Sequence, residues 1–194
     1  MARAEGSGSG VDVGDRILDA AATCVVDFGV DRVTLAEIAR RAGVSRPTVY
    51  RRWPDTRSIL AAVLTARITG AWRDVPARGH GREALVGRIV AVADRLRHDD
   101  PVMSVLRTAP RVAMVYITQR LGTSQRVLID AVADELRAAQ LDGSVRPGDP
   151  RQLAAMVLLI TQSTIQSGQI VAPILDEQAL AAELTHSLNG YLAR

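Results

Sequence analysis

Lysine is absent from this chain: all 24 basic residues are arginine. Every cationic contact is therefore a planar guanidinium fork, suited to phosphate or guanine. Cysteine occurs once, at Cys24, which excludes an intrachain disulfide and fits a reducing compartment. Aromatic residues make up only 3%, whereas apolar residues make up 47% and are mostly alanine, leucine and valine. That mixture favours packed helices over sheet. The longest uninterrupted apolar run, Leu153 to Ile160, is too short to span a bilayer. The opening ARAEGSGSG lacks the apolar segment of a secretory signal, so 1–11 is expected to be a flexible tail and the protein cytoplasmic. There is no G-x-S-x-G nucleophile motif and no phosphate-cradling glycine loop. His80, His98 and His186 lie far apart, and His98-Asp99-Asp100 before Pro101 reads as a helix cap rather than a metal site. No catalytic residue, metal or cofactor is expected, and an enzyme is the remote alternative.

What is present is a concentration of basic charge. The net charge is only +3, yet Arg40, Arg41, Arg46, Arg51, Arg52 and Arg57 face a single acid, Asp55, between positions 40 and 57. From Pro76 onward 13 arginines are balanced by 12 acids. A local surplus of this kind marks a surface for a polyanion.

The surplus coincides with a pattern of helix stops and starts. Helical spacing of Ile17, Ala20, Ala21, Cys24, Val25 and Phe28 predicts a first helix over 12–28, closed by Gly29. Thr34 is placed to cap a second helix, with Glu37 completing a capping box. Gly43 permits a sharp turn, Ser45 caps a third helix, and Pro47 is tolerated in its first turn. Val44, Val49 and Trp53 are expected in the core, leaving Arg46, Thr48, Tyr50 and Arg51 outside. Asp55 caps a fourth helix, from Thr56 to about Trp72. A helix, tight turn and second helix with exposed basic and hydroxyl groups is how a protein lays a helix in the DNA major groove.

Beyond the loop DVPARGHG at 74–81 the chain reads as five more helices: 82–97; 101–108, capped by Asp99 or Asp100; 111–139, bent at Gly122; 150 to about 169; and 176–192. The expected fold is all-α, about nine helices, with a DNA-binding head at 12–56 and a helical bundle at 57–194.

Residues 16–60 resemble the TetR family of bacterial one-component transcription regulators. The resemblance rests on Phe28-Gly29, Thr34, Ile38-Ala39, Ala42-Gly43-Val44-Ser45, Tyr50 and Trp53, in that order. It implies that the bundle at 57–194 is the ligand-binding and dimerisation part of a homodimer on a palindromic operator, usually a repressor, released when a small molecule binds that part. It also implies that the third helix carries Arg46 towards guanine, and that Tyr50 and Thr34 hold phosphate. The full candidate DNA set is Thr34, Ser45, Arg46, Pro47, Thr48, Tyr50, Arg51, Arg52, Thr56 and Arg57. The family often has a lysine where this chain has Thr56, and Arg57 or the Thr56 hydroxyl is the expected substitute.

Trp72, Met103, Met114, Tyr116, Met156 and Ile160 are candidate walls of a ligand pocket, with Ser163 and Gln166 as hydrogen-bonding groups. Methionine adapts to irregular apolar shapes, so the expected effector is hydrophobic. Leu180, Leu184, Leu188 and Tyr191 share a face of the last helix and, with the preceding helix that carries Leu153, Met156, Val157 and Ile160, are the candidate dimer surface, a four-helix interface between two copies. The alternative function is a DNA-binding regulator with no small-molecule inducer, controlled by a protein partner or by its abundance.

Overall fold

The computed structural model describes residues 12–108 and 122–194. The tail at 1–11, the start of the expected 111–139 helix, Met114 and Tyr116 lie outside the described residues. Among those described there are nine α-helices, one short 3-10 turn and no strand. The chain divides into two compact units, Met1–Val63 and Leu64–Arg194.

The first unit holds α1 (Val13–Phe28), α2 (Leu35–Ala42), α3 (Arg46–Arg52) and the start of α4 (Thr56–Asp74). Its core is Ile17, Val25, Leu35, Ile38, Val49, Ile59 and Leu60, all 4% exposed or less. α2, α3 and α4 each start where a side chain takes up a free backbone N–H. Thr34 Oγ1 accepts from Glu37 N–H at 3.2 Å, Ser45 Oγ from Thr48 N–H at 3.3 Å, and Asp55 Oδ1 from Ser58 N–H at 2.7 Å. The turn between α2 and α3 rests on Gly43, at φ 64° and ψ 37°. Gly43 and Val44 donate back to Arg40 and Ala39, closing the helix end in a geometry that a side chain at Gly43 would strain. Val44 and Trp53 are half-buried and only Val49 of the expected three is fully buried.

The second unit contains the rest of α4, then α5 (Gly81–Arg97), α6 (Asp100–Thr108), α7 (Thr123–Leu141), α8 (Pro150–Val171) and α9 (Glu177–Leu192). Its core joins α5, α7, α8 and α9 through Val86, Leu136, Leu153, Val157, Leu184 and Leu188. Asp149 and Asp176 cap α8 and α9, as their positions before each helix lead one to expect. Asp99, not Asp100, caps α6, accepting from Val102 N–H at 3.0 Å. Gly122 is not a bend within a helix. It has extended backbone and stands as the N-cap of α7, where Gln125 Oε1 accepts its N–H at 2.7 Å.

The leucine stripe on α9 corrects a second expectation. Leu180, Leu184 and Leu188 are 8%, 5% and 0% exposed within a single chain, and Tyr191 packs against the same core. Gly168 on α8 lets Leu180 come close: a Cβ there would stand 2.9 Å from Leu180 Cδ2. The stripe is spent inside one subunit and is not available as a dimer surface.

Candidate nucleic-acid interface and an apolar cavity

Arg46 and Pro47 open α3, so the arginine side chain leaves the first turn of the helix. Arg46, Arg51 and Arg57 are exposed and make no ion pair or hydrogen bond among the described residues. Tyr50 is 50% exposed, one position after the buried Val49. Arg52 stands 3.7 Å from Asp12 Oδ2. The hydroxyls of Ser45 and Thr48 bond each other at 2.7 Å. Thr34 is exposed at the start of α2, and Thr56 is half-buried at the start of α4. The structure thus places the whole candidate DNA set in the first unit, at the starts of α2 and α4 and along α3.

The remaining two arginines of the basic stretch are engaged. Glu37 does not complete a capping box. Its carboxylate instead accepts from Arg40 Nε and Nη2 at 2.8 and 2.6 Å and from Arg41 Nε at 3.1 Å. Charge-assisted bonds to guanidinium outcompete one to a neutral backbone N–H. They hold the Glu37 carboxyl down to about 2, with Arg40 the larger cause and Arg41 the next. Arg41 also reaches Asp27 at 2.5 Å and covers the Phe28 ring at 4.7 Å. Arg41 therefore fastens α2 to α1, while Arg40 stays 71% exposed. Burial pushes the Cys24 thiol above its ordinary range, so this thiol packs and stays protonated.

In the second unit, α4 to α8 surround an apolar cavity of about 140 Å³. Leu64, Ile68 and Trp72 of α4 line it, with Val105 of α6, Leu128 of α7 and Val157 of α8. Arg88 holds Trp72 in place. Its guanidinium lies 4.0 Å over the ring and donates to Trp72 O at 2.7 Å, to Val75 O at 2.8 Å and to Glu135. The polar residues of the described lining are uncharged: Ser124, Gln125, Thr161, Gln162 and Gln166. Gln125 Nε2 donates to Gln162 Oε1 at 2.9 Å.

Of the expected pocket residues, Trp72 and Gln166 line this cavity. Met103 is buried at 5% but is not part of the described lining. Met156 and Ser163 are exposed on α8, and Ile160 packs against the bundle core. These four are corrected: methionine and serine on a helix reveal nothing of which side faces an internal space. Ser124 and the aliphatic lining were missed. The available signal was the start of α7 at Gly122, which would have put Ser124 in a first turn.

Comparison with known proteins agrees with the architecture. The family described as "Bacterial regulatory proteins, tetR family" matches residues 17–63. An HTH-type transcriptional regulator of Mycobacterium tuberculosis is 69% identical over 181 residues, which cover 93% of this chain and 95% of the relative. Among solved structures, the transcriptional repressor QsdR of R. erythropolis is similar at TM-score 0.67 and 19% identity, over 94% of this chain and 96% of QsdR. RolR in complex with resorcinol is similar at TM-score 0.68 and 16% identity, over 93% of this chain and 87% of RolR. The chain belongs to the TetR family of DNA-binding transcriptional regulators. It is a regulator and not an enzyme. Among the described residues, no helix is long and apolar enough to cross a membrane.

Proposed function

We propose that this regulator is a ligand-responsive repressor: a homodimer that holds a palindromic operator and leaves it when a small apolar molecule fills the cavity of the second unit. The cavity is the observation that carries the reading. An unfilled apolar space costs about 24 cal/mol per Å³, so 140 Å³ amounts to roughly 3 kcal/mol. Close-packed interiors rarely sustain such a loss without a use for the space. RolR, which shares the fold, takes the aromatic molecule resorcinol.

At the DNA end, Arg46 reads guanine from the first turn of α3, and Thr48 meets a thymine methyl or a phosphate. Arg51 reaches a base or a phosphate. Tyr50, Arg52 and Arg57 contact phosphate, with the Thr34 hydroxyl and the Thr56 start of α4 beside them. Ser45 and Pro47 shape the first turn. The dimer surface is the exposed stripe of α8. Met156, Leu159 and Ile170 are 43%, 60% and 79% exposed, with the small Ser163 and Ser167 between them at helical spacing. Two copies of such a face bury apolar surface that one copy leaves in water. The ligand acts by population shift: it binds better to the arrangement in which the two α3 helices no longer match adjacent major grooves. Leu64, Ile68 and Trp72 put the cavity wall on α4, the helix that follows α3.

The test is fluorescence anisotropy of the operator duplex bound to full-length protein while small apolar compounds are added. Saturable release is expected. If DNA stays bound at concentrations that saturate the cavity, the inducer reading is wrong, and control by a protein partner or by abundance replaces it.

A further inference from the structure

Among the described residues, one polar group in the cavity wall has no hydrogen-bond partner. Ser124 lies in the first turn of α7, is 1% exposed and lines the cavity. Its Oγ has no hydrogen-bond partner among the described residues. A buried hydroxyl left unsatisfied is costly and uncommon, and most such groups have a partner. The neighbouring amide is turned to other partners. Gln125 spends Oε1 on Gly122 N–H and Nε2 on Gln162. The Thr161 hydroxyl donates to Val157 O at 2.8 Å, and the rest of the described lining is aliphatic apart from the Trp72 ring and the other side-chain amides.

Charge is missing from the described lining altogether: it contains no arginine, histidine, aspartate or glutamate. Arg88, whose guanidinium lies over Trp72, is already held by Glu135 and two backbone carbonyls. A carboxylate or ammonium entering this space would lose its water and gain no counter-ion from the described lining, a cost that a neutral molecule avoids. Size sets a further limit. The volume of about 140 Å³ is close to that of an engineered cavity of roughly 150 Å³ that takes benzene.

We infer that the cavity takes an uncharged, single-ring-sized apolar molecule whose one hydroxyl or carbonyl group pairs with Ser124 Oγ. Calling this molecule the effector rests on the repressor reading above; its binding does not.

Three matched probes test this on the full-length protein: toluene, benzyl alcohol and benzoate. Binding is read by isothermal titration and by fluorescence, since Trp72 lies in the cavity wall. Toluene and benzyl alcohol are expected to bind saturably, with benzoate at least 100-fold weaker than benzyl alcohol. Ser124→Ala is expected to weaken benzyl alcohol relative to toluene by about five-fold, the worth of one neutral hydrogen bond. Toluene binding by the same variant checks that the cavity is intact. A benzoate affinity equal to that of benzyl alcohol overturns the inference. So does a ratio of benzyl alcohol to toluene affinity that Ser124→Ala leaves unchanged, or failure of all three probes to bind at millimolar concentration. Binding as expected without any release of operator DNA would leave the inference standing and defeat the repressor reading instead.

Discussion

Arg46→Ala separates DNA reading from DNA attraction. The side chain is exposed at the first position of α3 and has no internal partner among the described residues. Its loss should therefore change folding stability by no more than about 0.5 kcal/mol. A bidentate contact to guanine discriminates by about 1–3 kcal/mol, and a dimer makes it twice, giving about 2–6 kcal/mol. At about 1.4 kcal/mol per decade, operator affinity should fall between roughly 30-fold and roughly 10⁴-fold. Anisotropy titrations on the operator and on a scrambled duplex, each at several salt concentrations, distinguish the possible roles. Arg46→Ala should weaken only the operator and leave the salt slope on scrambled DNA unchanged. Arg57→Ala, at a proposed phosphate contact, should weaken both duplexes and reduce the slope by about 2 for the two copies. Arg41→Ala supplies a contrast, because Arg41 ties Glu37, Asp27 and Phe28 together. It should lower the melting temperature without altering base preference. The reasoning fails if Arg46→Ala weakens operator and scrambled DNA by the same factor, or melts as early as Arg41→Ala.

Two other substitutions divide the faces of the bundle. Leu188→Ala, at a fully buried site, should cost about 2–5 kcal/mol in denaturant unfolding, whereas Leu159→Glu should leave folding nearly intact and split the dimer in light scattering. A dimer that survives Leu159→Glu would rule out the α8 stripe as its surface. The ion pairs of Glu37 should give an acid-labile increment of stability. Its carboxyl is held at about 2 against an ordinary 4.5, so the contribution is complete above 4.5 and disappears as the pH falls through about 2. The melting-temperature gap between the wild type and Glu37→Gln should accordingly close across that window; a gap independent of pH would mean that these bonds contribute nothing.

The first unit was legible in the sequence because its signals are local. Thr34, Gly43, Ser45 and Asp55 act on backbone groups within five residues, so their chemistry fixes where α2, α3 and α4 begin and where α2 ends. The second unit was legible as helices but not as surfaces. Periodicity shows that the face bearing Leu180, Leu184 and Leu188 is buried without showing against what, and the answer is α5 and α8 of the same chain. The cavity depends on how five helices diverge, which no single segment encodes. Choosing Met156 and Ser163 by residue type therefore missed the position that matters, Ser124. Glu37 misled for another reason. Its spacing from Thr34 fits a capping box, yet two arginines one turn further on compete for the same carboxylate.

The central claim is that this head reads a specific, two-fold DNA sequence. Selecting duplexes from a random library with full-length protein at near-physiological salt, then footprinting the winners, tests it most directly. The account predicts an inverted repeat with half-site centres about one helical turn apart and protection in adjacent major grooves. Enrichment of no sequence above the salt-sensitive background would contradict it.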